Sequence, residues 1–267
     1  MNCLESLDVP TGVTSVVGSG GKTTLLRAIA EELAARDESV VLATTTHFLA
    51  FAGVPLVTSD DEGELADALG WGGVACVGVP VASRGGRDET RSAVVGDQAA
   101  AGAAGGQATA GAVRALPKLG PSPIPVARLA QLAGHVLVEA DGSRRLPLKA
   151  HAAHEPVVPP ESTLRVLVVG ASGLGSPVRK AAHRPELFCE RVGCAPDDNA
   201  TPELVARAIS AEVAAGPLSP DHVVVNQVED AAARAQAGRL ARELARLGVD
   251  APVLAGSIRA HDLERIG

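Results

Sequence analysis

Seven short apolar runs punctuate the chain, at 13–17, 40–43, 74–79, 135–140, 164–169, 222–225 and 251–254, and they constrain the fold more than any other feature. Each is too short for a helix and too uniformly apolar for a strand with one wet face. Helical spacing fills several gaps between them. Leu25, Leu26, Ile29, Ala30 and Leu33 share one face of a helix ending near Arg36. Thr201-Pro202-Glu203 starts another, with Thr as N-cap and Pro in the first turn, and Gly216-Pro217 ends it. Leu240, Leu244 and Leu247 mark a third, stopped by Gly248. Strands buried on both faces and alternating with helices predict a mostly parallel sheet in a three-layer α/β domain. Functional residues in such a sheet follow the carboxyl ends of the strands.

The first of those ends carries the most specific chemistry. Val13 to Val17 runs into Gly18-Ser19-Gly20-Gly21-Lys22-Thr23-Thr24, directly before the first helix. The spacing G-x-x-x-x-G-K-[ST] would put its outer glycine at Val16. The compact loop G-T-N-G-K-T-T of Mur ligases instead matches Gly18 to Thr24 position for position. A dinucleotide fingerprint fails, because it needs glycine at Thr23. Glycines let backbone amides turn inward around phosphate oxygens, and the helix adds its positive dipole end. Lys22 is expected on the β- and γ-phosphates of ATP or GTP, and Thr23 on Mg²⁺. The fold expected is therefore a P-loop NTPase-like α/β domain with a mostly parallel sheet.

A second strand end supplies the acid. VLVEADGS delivers Asp141 as a Walker B-type carboxylate for Mg²⁺, and strand alternation puts Glu139 on the same face, as a candidate to position water. Thr44-Thr45-Thr46 ends the strand at 40–43 and offers hydroxyls for a γ-phosphate or metal shell. Arg144, Arg145 and Lys149 add positive charge just after Asp141, suited to phosphates or an anionic substrate. His151, His154 and Glu155 match no metalloprotease spacing; a solvated loop is the plain reading and a zinc site the alternative. VVNQVED at 224–230 is a weak match to the base-selecting N-K-x-D motif, with Asn226 the residue expected near a base. VVGASGLGSPV, followed by RKAAHRPE, reads as a loop.

Composition removes several classes. Three Phe, one Trp and no Tyr leave little for stacking bases, and a net charge of -7 gives no attraction to nucleic acid or anionic lipid. The four cysteines form no C-x-x-C pair; Cys189 and Cys194 beside His183 make a poor zinc spacing, so reduced structural thiols are expected. No apolar run approaches the ~18 residues of a membrane span, and no signal peptide is evident, so a cytoplasmic protein is expected. The 267 residues read as a single domain. The alanine-glycine run at 96–112 has nothing to bury and reads as a flexible surface insertion.

VVGSGGKTTLL, ATTTH, VEADGSRRLPLKAHAAHEPVVP, HRPELF and TPELVARAI, in that order, resemble the YqeC family, accessory proteins for selenium-dependent molybdenum hydroxylases. The resemblance spans most of the chain apart from the alanine-glycine run. It implies an NTP-binding protein that helps mature the selenium-containing molybdenum centre, with a selenium- or molybdenum-cofactor species and a molybdenum hydroxylase as partners. It also implies a site made of Lys22, Thr23, Thr45, Glu139, Asp141, Arg144, Lys149, His154 and Glu155. Family members more often carry Lys after the threonine run, where this chain has His47. An ATP-dependent ligase or transferase and a non-catalytic nucleotide-gated carrier remain alternatives.

Overall fold

The structure is a computed structural model that describes residues 2–81, 116–216 and 218–267. The alanine-glycine run at 96–112 lies outside the described residues. In chain order the strands are β1 (Gly12–Gly18), β2 (Val40–Thr44), β3 (Phe48–Leu49), β4 (Leu56–Val57), β5 (Val74–Val77), β6 (Lys118–Leu119) and β7 (His135–Glu139). There follow β8 (Leu148–Lys149), β9 (Ser162–Gly170), β10 (Ala182–His183), β11 (His222–Asn226), β12 (Val253–Ser257) and β13 (Asp262–Arg265). The helices are α1 (Cys3–Ser6), α2 (Lys22–Ala34), α3 (Glu62–Gly72), α4 (Val126–Leu132), α5 (Val178–Ala181), α6 (Pro185–Val192), α7 (Pro202–Ala214) and α8 (Ala231–Arg246).

Nine strands form one sheet in the order β13-β12-β11-β9-β1-β7-β2-β5-β4. Every pairing in it is parallel except β12 with β13. β1 is central, with Val16 in register with Glu139 of β7 and Gly18 with Val168 of β9. The carboxyl ends of β1 and β7 therefore lie side by side, and that juxtaposition positions the site.

Alternation puts apolar side chains on both faces of the sheet, where they pack into three cores. Val16, Val166, Val168, Val224 and Leu254 pack with Leu25, Ile29 and Leu33 of α2. Val17, Leu167, Val169, Val223 and Val225 pack with Phe188 of α6, Val205 of α7 and Leu240 of α8. The result is the three-layer α/β architecture expected for a P-loop NTPase-like chain. With so few rings, burial of aliphatic side chains does the stabilising, at about 1.5–3 kcal/mol for each fully buried Val, Leu or Ile.

At three places the structure goes beyond the sequence pattern. RKAAHRPE, which follows the stretch read as a loop, holds residues 179–181 of α5 and all of β10 and enters α6, where Pro185 occupies the first turn and needs no amide acceptor. The run at 251–254 leads into β12, and one more strand follows it: β13 returns antiparallel at the sheet edge, polar except for the buried Leu263. α3 carries a single buried residue, Leu65, so its apolar stripe was too thin to see.

Candidate functional site

The glycine loop turns between the end of β1 and the start of α2. Gly18, Gly20 and Gly21 have φ of 93°, 85° and 139°. Side chains are excluded there by space as well as by torsion. A Cβ at Gly20 would lie 2.4 Å from the Gly170 Cα, and one at Gly21 would lie 2.3 Å from Asn226 Nδ2. Asn226 fastens the loop from below: its Nδ2 donates to Gly20 O at 2.8 Å, and its Oδ1 accepts from Ile258 N at 3.0 Å. The segment after Asp141 flanks the loop, with the Ser19 hydroxyl donating to Leu146 O and Gly170 N donating to Pro147 O at 2.8 Å.

Two loop amides are already engaged. Gly18 N donates to Asp141 Oδ2 at 2.8 Å and Ser19 N to Val168 O at 2.8 Å. Those at the start of α2 differ. Its N-cap, Gly21, offers no side-chain acceptor, whereas Asp61, Thr201 and Asp230 cap α3, α7 and α8. The first-turn amides of Lys22, Thr23 and Thr24 have no intrahelical acceptor and point, with the helix dipole, at the space beyond the loop.

A buried charge cluster meets that opening. Lys22 Nζ donates to Gly18 O at 2.9 Å and lies 3.1 Å from Asp141 Oδ1 and 3.7 Å from Glu139 Oε1. The Thr23 hydroxyl donates to Glu139 Oε2 at 2.7 Å. Asp141 is fully buried and is approached by four donors: Gly18 N, Lys22, Lys149 Nζ at 3.1 Å and His151 Nε2 at 2.7 Å. His151 reaches a second carboxylate through Nδ1, 2.6 Å from Glu212 Oε2 of α7. Arg191 of α6 completes the chain by donating to Glu212 Oε1 and to His151 O.

Opposing effects set the protonation states. Burial works against charge on Asp141, but Lys22, the His151 hydrogen bond and Lys149 outweigh it and hold the carboxyl well below the usual range. Burial also works against charge on His151, yet its hydrogen bonds to Asp141 and Glu212 raise its pKa. With a carboxylate on each nitrogen, the ring is an imidazolium donating twice. Glu139 goes the other way: burial raises its pKa, and Lys22 and Thr23 offset only part of that.

The structure thus gathers Gly18, Ser19, Gly20, Gly21, Lys22, Thr23, Thr24, Glu139 and Asp141 around one opening. Thr45 lies at its edge, its amide 3.2 Å from Glu139 O and its hydroxyl donating to Val157 O at 2.7 Å. Lys149 is turned inward, paired with Asp141 and with Glu155 at 2.8 Å, and donates to Gly142 O at 2.5 Å. Both polar atoms of Asn226 serve backbone partners. Arg144 and Arg145 are exposed beside the loop, both with positive φ, and His154 is exposed. Sequence reasoning missed Glu212 and Arg191 and did not see what His151 bridges. One signal was available: Glu212 falls on the same helical face as Val205 and Ile209, a charge in an apolar stripe.

The sequence profile described as YqeC protein matches residues 14–186, more than half of the chain, including every site residue above except Arg191, Glu212 and Asn226. The chain belongs to the YqeC family. The YqeC protein of Escherichia coli (strain K12) is 33% identical over 188 residues, which span 69% of this chain and 62% of that relative, less than two thirds of its length. Among solved structures, chloroplast FtsY from Physcomitrella patens aligns with 97% of this YqeC-family chain and 63% of its own, at 13% identity and a TM-score of 0.44. The cell division protein FtsY from Thermotoga maritima covers 99% of this chain and 71% of its own, at 15% identity and a TM-score of 0.36.

Proposed function

We propose that the chain binds a nucleoside triphosphate with Mg²⁺ at the β1–α2 loop and couples its hydrolysis to maturation of the selenium-containing molybdenum cofactor of molybdenum hydroxylases. The carrying observation is the position of Lys22, held at the mouth of an uncapped helix between two buried carboxylates. A lysine in a merely structural turn gains nothing from that cost of burial. A phosphate-binding lysine needs to be poised there before the ligand arrives.

The donor set fits Mg²⁺, a hard cation that prefers oxygen. The Thr23 hydroxyl and the Glu139 carboxylate are adjacent oxygen donors, and Asp141 Oδ1 is a buried oxygen that faces Lys22 Nζ at 3.1 Å. The sequence put Asp141 on the metal. Its four donors support a different share of the work, in which Glu139 and Thr23 hold Mg²⁺ and Asp141 fixes Lys22 and the Gly18 amide. Bound Mg²⁺ would neutralise phosphate charge. The chain's own part is to orient the phosphates on the α2 amides and Lys22, with Arg144 and Arg145 as exposed cations at the rim. The maturation role rests on the family resemblance.

The test is titration of ATP and GTP, with Mg²⁺, into wild type and Lys22→Ala. Loss of affinity by ~100-fold or more is expected, on the order of 2.7 kcal/mol. Binding by Lys22→Ala as tight as wild type overturns the assignment. Phosphate release measured with and without selenide and a partner hydroxylase then separates coupled turnover from idle binding.

A further inference from the structure

Away from the phosphate loop, the end of α6 brings two thiols together. Gly193 follows the helix with φ 67°, so Gly193 N at 2.8 Å and Cys194 N at 3.2 Å both donate to Cys189 O. The second bond is the six-to-one closure of a Schellman-type stop, which sets the residue two beyond the helix end against one in its last turn. That contact is ordinarily between apolar side chains. Here both residues are cysteine, and the Cys194 thiol donates to Cys189 Sγ at 3.2 Å. A disulfide requires about 2.05 Å, so roughly 1 Å of further approach closes the bond. Cys189 is buried and Cys194 is partly exposed, while Cys3 and Cys76 are buried elsewhere.

We propose that Cys189 and Cys194 form a reversible dithiol site that a small-molecule disulfide oxidises to an intramolecular disulfide. Cys194, the accessible thiol, loses its proton and attacks one sulfur of the small disulfide, expelling one thiolate that takes up that proton. Cys189 then loses its proton and attacks the Cys194 sulfur, expelling the second small thiol. The pair has given up two electrons and two protons, and the small disulfide has become two thiols. Cys194 goes first because it is the partly exposed thiol, while burial pushes the Cys189 thiol up to about 12. The second step is intramolecular, and proximity favours it over attack by free thiol. Excess small thiol reverses both steps.

The experiment exposes the full-length chain to oxidised glutathione, then denatures it, alkylates free thiols and analyses peptides by mass spectrometry. Wild type is expected to lose two of its four alkylatable cysteines. Trypsin cuts after Arg191, so the two resulting peptides stay joined only through the new bond. Cys189→Ser is expected to stop at a glutathione mixed disulfide on Cys194, and reduced glutathione should return wild type to four free thiols. Wild type that keeps all four, or that accumulates the mixed disulfide as fully as Cys189→Ser, overturns the proposal.

Discussion

Asp141 shows how one buried side chain can hold a cluster of cations together. Its oxygens face Gly18 N, Lys22, Lys149 and His151, so removing the charge leaves three buried cations under-compensated. Asp141→Asn is expected to cost about 3–5 kcal/mol in urea unfolding, in the range for breaking a buried ion pair. A cost under about 1 kcal/mol would mean that the cluster is not what fixes the loop. His151 gives a pH signature with a definite sign. Its folded pKa is raised, so its contribution is complete below the unfolded value of about 6.5 and is lost as pH rises through the folded value. Around it stand Asp141, Glu212, Lys149 and Arg191. Wild-type stability should therefore fall as pH rises above the unfolded value of about 6.5, and His151→Gln should flatten that slope. An unchanged slope in the variant would assign the titration elsewhere.

At the scale of elements, β1, the glycine loop and α2 were legible because their requirements are local. A loop that must turn its amides inward advertises itself in glycine, and an amphipathic helix in its spacing. Gly20 makes this testable: with φ 85° and a Cβ clash at 2.4 Å, Gly20→Ala should lose nucleotide binding, whereas Gly142→Ala, with open space around it, should keep it. Binding measured for both variants decides. What stayed hidden is long-range. His151 and Glu212 are 61 residues apart, and nothing near His151 announces that α7 will bring a carboxylate to it. Lys149 looked like a phosphate ligand because charge is visible in a sequence and its direction is not. Cys189 and Cys194 looked unremarkable because no metal spacing joins them, whereas a helix stop does. The cap on α7 was read correctly, and Thr201→Ala should cost about 1 kcal/mol in thermal or urea unfolding.

Across the whole molecule, the parallel sheet was foreseeable from the alternation of runs and helices, but its order was not. The antiparallel β13 and the thinly buried α3 have too little apolar pattern to be seen alone. α3 has a practical consequence: Trp71, the single tryptophan, is 85% exposed at its end. Its emission should resemble free indole and change little on unfolding, while circular dichroism reports the transition; a large blue shift in the folded protein would contradict this exposure. The placement of β1 reaches further. Its partners are β7 and β9, so a strand ending at Gly18 waits for residues 135–139 and then 162–170 before both flanks are covered. At about 5–20 residues per second of synthesis, that delay is roughly 8–30 s. During it, the glycine loop, with Gly20 pressed on Gly170 and Gly18 on Val168, has no template on which to form. The nascent chain must carry an apolar strand and an unformed loop until those residues are made, a window in which a chaperone has reason to hold it.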